Sequence, residues 1–180
     1  MFKQFPKISL INLRGGLLSS LLLMILLSEP VPAVPRISVL SVELDDISAL
    51  PHTSEELART ASFKPLLEEA LINVGAYAFI AINPQTEASE NAGFGYLFRF
   101  HDVAAKLAKP FGADWVVVGQ HYKASFLYSD LIVQLVNVKT STLAASYAIE
   151  LKGNTAQVTQ RAMKALAVKI DGTIRRLSPT

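Results

Sequence analysis

His52, His101 and His121, with Asp45, Asp46 and Asp102, are the residues whose chemistry suits a metal ion. A protein metal site pairs such donors, typically at i and i+4 on a helix or at i and i+2 on a strand. None of the three histidines stands at either spacing from another, so no metal site is expected. His101 beside Asp102 reads as a helix start capped by Asp102, and His121 as a half-exposed strand residue. A serine nucleophile of the hydrolase kind needs a Gly-x-Ser-x-Gly turn that lifts its hydroxyl clear of a strand, and the chain has no such turn. Gly93 and Gly95 form a bare Gly-x-Gly without the third glycine or the strand and helix that flank a phosphate loop. Asp45 and Asp46 are adjacent at an expected strand end, so their side chains point to opposite faces and cannot work as an acid–base pair. The absence of cysteine excludes disulfides, thiolate metal sites and cysteine nucleophiles. The expectation is a protein that is not an enzyme and uses neither metal nor cofactor.

The aromatic series Phe94, Tyr96, Phe98 and Phe100 is more informative. It closes the stretch Asn83 to Arg99, far longer than the roughly four to six residues that usually connect elements in a compact domain, and such loops are commonly functional. In an extended segment these rings would share one face, and contiguous exposed aromatics mark recognition surfaces. Phe94, Tyr96, Phe98, Arg99 and Phe100 are therefore the candidate partner-binding residues. The competing expectation is that the rings fold back as a lid on the core.

Regular elements must position this stretch. Residues 36–44 alternate as a first strand, with Ile37 and Val39 in one phase and Val42 and Leu44 in the other, a slip near Leu40; Asp45, Asp46 and Ser48 are expected to end it. Thr53 with Glu56 is a capping box, and Leu66, Leu67, Ala70, Leu71 and Val74 follow at helical spacing up to Gly75. Pro65 predicts either a kink or two helices, the second starting near Phe63. Tyr77 to Ile82 reads as a second strand, and Asp102 to Ala108 as a short helix stopped by Pro110, with Gly112 turning the chain. Trp115 to Val118 is a continuous apolar run suited to a central strand covered on both faces. Two further strands, 131–138 and 142–151, precede a last helix on which Val158, Ala162, Leu166, Ile170 and Ile174 recur. The order β-α-β-α-β-β-β-α predicts an α/β (α+β) fold: a single mixed sheet of about five strands with helices packed on it. Val116, Val117, Val118, Leu71, Leu166 and Ile170 are expected in one core.

Lys3, Lys7 and Arg14 precede an uncharged, leucine-rich run from Gly15 to Leu27, and Val31 and Ala33 occupy small-residue positions beyond it. This is the pattern of an export signal cut after Ala33. The run has 13 residues, short of the roughly 20 that span a bilayer. Residues 1–33 are thus expected to be a cleavable signal and residues 34–180 a single domain, periplasmic, with no stable membrane insertion after cleavage. Three of the 17 basic and one of the 15 acidic residues precede Val34, leaving 14 of each. A neutral domain has no electrostatic footprint for nucleic acid.

The segment Gly112, Ala113, Asp114, Trp115, Val116, Val117, Val118, Gly119 carries a resemblance. So do Glu43 to Asp46, Lys123 and Ser125, Val138 to Thr140, and Gly153 to Thr155. Across nearly all of the chain after the signal these are similar to a family of exported bacterial domains catalogued as domains of unknown function. In fold the chain also resembles the amino-terminal domain of TolB and the CsgG-related envelope proteins, a likeness that implies protein binding and no catalysis. Members of the exported family tend to carry a cysteine pair before the short helix, where this chain has Gly93 to Phe98, so no redox or metal role carries over. Asn137 and Ser141 also stand where Asp and Gly are expected, which bears on the turn alone.

Export, the lack of catalytic signatures and this resemblance predict a non-catalytic periplasmic accessory protein that binds another envelope protein through residues 83–100. The alternative is a periplasmic small-molecule carrier or sensor with an apolar pocket under the same loop.

Overall fold

The computed structural model describes residues 33–48, 51–125 and 128–178. The expected export signal and its cut lie outside the described residues, apart from Ala33. Six strands form one mixed sheet: β1 (Arg36–Val39), β2 (Glu43–Asp46), β3 (Ala78–Phe79), β4 (Trp115–Lys123), β5 (Tyr128–Asn137) and β6 (Thr142–Lys152). The helices are α1 (Ser54–Val74), α2 (Pro84–Glu90), α3 (Tyr96–Arg99), α4 (His101–Ala108) and α5 (Ala156–Leu177). The sheet runs β3-β1-β4-β5-β6, with β2 beside β4 as a continuation of β1. β1, β2 and β3 pair in parallel, β5 and β6 antiparallel, as expected of helix-separated strands followed by a meander.

The slip in the first strand is real. Ile37 and Val39 pair with Trp115 and Val117, but Leu44 and Asp46 pair with His121 and Lys123, so the offset changes by one residue. Ile37, Val39 and Val42 all lean on the same core, so the extra residue sits between Val39 and Val42. The strand ends at Asp46, with Asp45 and Asp46 its last two paired residues.

β4 is covered on both faces, and alternation along it divides the interior in two. Trp115 and Val117 join Ile37, Phe63, Leu71, Leu166 and Ile170 beneath α1 and α5. Val116 and Val118 face the other way, into a cluster with Leu40, Ile82, Leu97, Ala104 and Ala108. The single core expected from the sequence is therefore two cores, because consecutive strand residues cannot share a face.

Thr53 and Glu56 form the expected capping box, and α1 runs unbroken through Pro65 as one helix. Gly75 ends it in an extended conformation, so the glycine is required by proximity: a Cβ there would stand 2.6 Å from the Asp171 carboxylate and 2.8 Å from the Tyr77 ring. Gly112, at φ 79°, makes the left-handed turn into β4.

Candidate functional site

Residues 83–100 are not an irregular loop. Asn83 accepts a side-chain hydrogen bond from the Thr86 amide and Pro84 occupies the first helical position, so α2 forms where a long connection was expected. Gly95 is left-handed at φ 70° and opens the single turn of α3. That turn overrides the extended alternation: Tyr96 and Phe100, four residues apart, share a face with ring centroids 4.8 Å apart. Phe98 turns inward, half-buried on the Leu97–Ala104 cluster together with Tyr96. Leu97, between the aromatics, is the fully buried residue. Phe94 and Phe100 remain exposed, at 53% and 46%, and Arg99 is exposed beside them. The aromatic set thus divides into two outward rings and two that partly cover the core.

Two carboxylates hold this segment on the sheet. Glu87, buried, accepts a hydrogen bond at 2.9 Å from the Ser41 amide, a donor freed by the strand slip, and pairs with Lys64 at 3.2 Å. Glu43 accepts from the Gly95 amide and the Asn91 side chain, both at 2.8 Å. Arg99 donates to the Phe94 carbonyl, and His101 meets Gln134 of β5 at 2.8 Å. Asp102 lies in the first turn of α4 but does not cap it; Phe100 holds the N-cap position without a side-chain bond.

Ile82, Leu97, Ala105 and Val118 are buried in the cluster on which the segment packs. A cleft of about 270 Å³ lies on the other side of the sheet, lined by the start of α1, the end of β4, the start of β5 and the turn before α5. Its floor is polar. Lys123 is enclosed between Asp46, at 2.9 Å, and Glu56, with side-chain exposures of 6%, 0% and 25%. Burial opposes the charge on Asp46, but bonds from Ser48 and Lys123 overcome that and hold its pKa at about 2. Lys123 is raised, first by its bond to Glu56. His121 is buried rather than half-exposed: its ring meets Thr60 at 2.8 Å, Ser129 at 3.0 Å and the Phe63 ring edge-on, and desolvation lowers its pKa to about 4. His52 approaches Asp46 at 3.5 Å, whereas His101 is on the other face of the sheet. Among the described residues no three metal-ligating side chains converge. The register of β2 on β4 brings this cluster together by aligning Asp46 with Lys123, and no spacing along the chain signals it.

Residues 35–170 match the family model DUF3280, described as "Protein of unknown function (DUF2380)". The chain belongs to this family. The DUF3280 match spans every strand and most of α5. No curated protein sequence matches it. Among solved structures, TolB from Acinetobacter baumannii is similar at 14% identity and a TM-score of 0.52, over 82% of this chain but 30% of TolB. The hypothetical protein CT253 from Chlamydia trachomatis is similar at 10% identity and 0.51, over 79% and 98% of the two chains. The LpoB C-terminal domain from Salmonella enterica aligns at 20% identity and 0.46, over 74% and 93%. With TolB and CT253 this DUF3280 domain shares its fold, as its resemblance to the TolB amino-terminal domain implied. No helix among the described residues is long and apolar enough to cross a membrane.

Proposed function

We propose that the chain is an exported, non-catalytic domain that binds another envelope protein through Phe94, Arg99 and Phe100, with Tyr96 and Phe98 supporting that surface from behind. The observation that carries this reading is the pair of exposed rings, Phe94 and Phe100, on a segment tied down by Glu43 and Glu87. Aromatic side chains concentrate binding energy at interfaces, and a segment already ordered before contact loses little entropy on docking. The basic-then-apolar opening of the chain supports export to the periplasm.

The test replaces Phe94 and Phe100 together by serine and uses the protein as bait in envelope extracts. Both rings being exposed, the melting midpoint is expected to correspond to a change of no more than about 0.5 kcal/mol, with capture of the partner abolished. A stable double variant that retains every partner would overturn the proposal.

A further inference from the structure

Among the described residues Arg59 has no counter-ion. Its Nε donates to Thr159 Oγ1 at 3.1 Å and its Nη2 to the Gly153 carbonyl at 3.0 Å, which leaves other guanidinium N–H groups free, and no carboxylate pairs with it among the described residues. Glu56, which lines the same cleft, is already committed: it spends its two oxygens on Lys123 and the Thr53 amide. A charge withdrawn from water is ordinarily paired, yet this one is half-buried in the wall of the 270 Å³ cleft. Desolvation lowers its pKa, and no acidic neighbour raises it. The remaining wall adds neutral hydrogen-bonding groups from Ser125, Tyr128, Ser129 and Asn154.

We propose that this cleft binds an oxyanion, a carboxylate or a phosphate, on the free edge of Arg59. The planar guanidinium suits either group through two parallel N–H bonds, and the Ser125 hydroxyl and Asn154 amide that also line the cleft can complete the shell. Glu55 stands exposed at the rim, where water screens its charge from the ligand. The site lies across the sheet from Phe94 and Phe100 and stands apart from the partner-binding reading.

The experiment titrates the isotopically labelled protein with succinate, inorganic phosphate, and a short peptide with a free or an amidated C-terminus. It follows the arginine Nε–H signals and the amides of Ser129 and Asn154. Saturable shifts of the Arg59 signal are expected, and Arg59→Gln should weaken the binding by about tenfold or more, the loss of one charged pair. A free small anion is indicated where succinate or phosphate binds as well as the peptide; a chain terminus is indicated where only the free-ended peptide binds. The amide spectrum of Arg59→Gln away from the cleft should superimpose on that of the wild type, which shows that its loss of binding is not a loss of fold. The absence of a saturable Arg59 shift with every probe, or equal binding by wild type and Arg59→Gln, would overturn the proposal.

Discussion

Asp46 and Lys123 are register partners on adjoining parallel strands, and their side chains meet at 2.9 Å with almost no exposure to water. Such a pair is expensive to break one side at a time, because the survivor is a buried charge without a partner. Lys123→Met should therefore destabilise the domain by about 3 to 5 kcal/mol, read by urea unfolding. Adding Asp46→Asn to Lys123→Met should recover part of that loss. A cost below about 1 kcal/mol for Lys123→Met, the level of an exposed pair, would show that the cluster is solvated.

His121 makes stability depend on pH. Its folded pKa of about 4 lies below its ordinary value of 6.5, so between these values the unfolded chain binds the extra proton. Stability from this residue is complete above about pH 6.5 and falls as pH drops towards 4, by a few kcal/mol in all. Asp46, held at about 2 against an ordinary 3.8, adds a second loss from about pH 4 downwards. Denaturant midpoints measured from pH 7 to pH 4 should decline, and His121→Gln should flatten that part of the profile. An equal slope in the variant would assign the effect elsewhere.

Glu87 tests how the aromatic segment is held. Replacing it by alanine leaves the Ser41 amide and Lys64 without their acceptor, at an expected cost of about 1 to 3 kcal/mol. Amide exchange should accelerate at Ser41 and through residues 84–99, while β5 and β6 stay protected. Uniform acceleration would mean that the segment unfolds only with the whole domain.

The two interiors give a packing test. Val117→Ala and Leu166→Ala, on the α1–α5 side, and Val116→Ala, on the α4 side, each remove buried methyl groups. The leucine truncation should cost about 2 kcal/mol or more. Since the sheet separates Val116 from Leu166, their double variant should be additive within about 0.5 kcal/mol. Strong coupling between them would place both in one cluster.

Local rules were legible in the residues themselves. The Thr53–Glu56 capping box, the unbroken apolar run of β4, the meander and the last helix each follow from backbone hydrogen bonding and apolar periodicity over a few neighbours. The phase slip near Leu40 was visible for the same reason, because alternation records which way each side chain points. Other features depended on groups brought together from far along the chain. Asn83 and Pro84 favour a helix locally, but the alternating aromatics beyond them also fit a strand; Glu43, 52 residues before Gly95, accepts the amide that opens the turn of α3. His121 could not be recognised as buried until α1 and β5 supplied Thr60 and Ser129. Likewise Lys123 and Asp46 are 77 residues apart, and Arg59 is left without a carboxylate among the described residues where Glu56, in the same cleft, pairs with Lys123. Periodicity reports which face a residue lies on, whereas burial and charge pairing depend on what the rest of the chain sets against that face, and only the tertiary structure decides that.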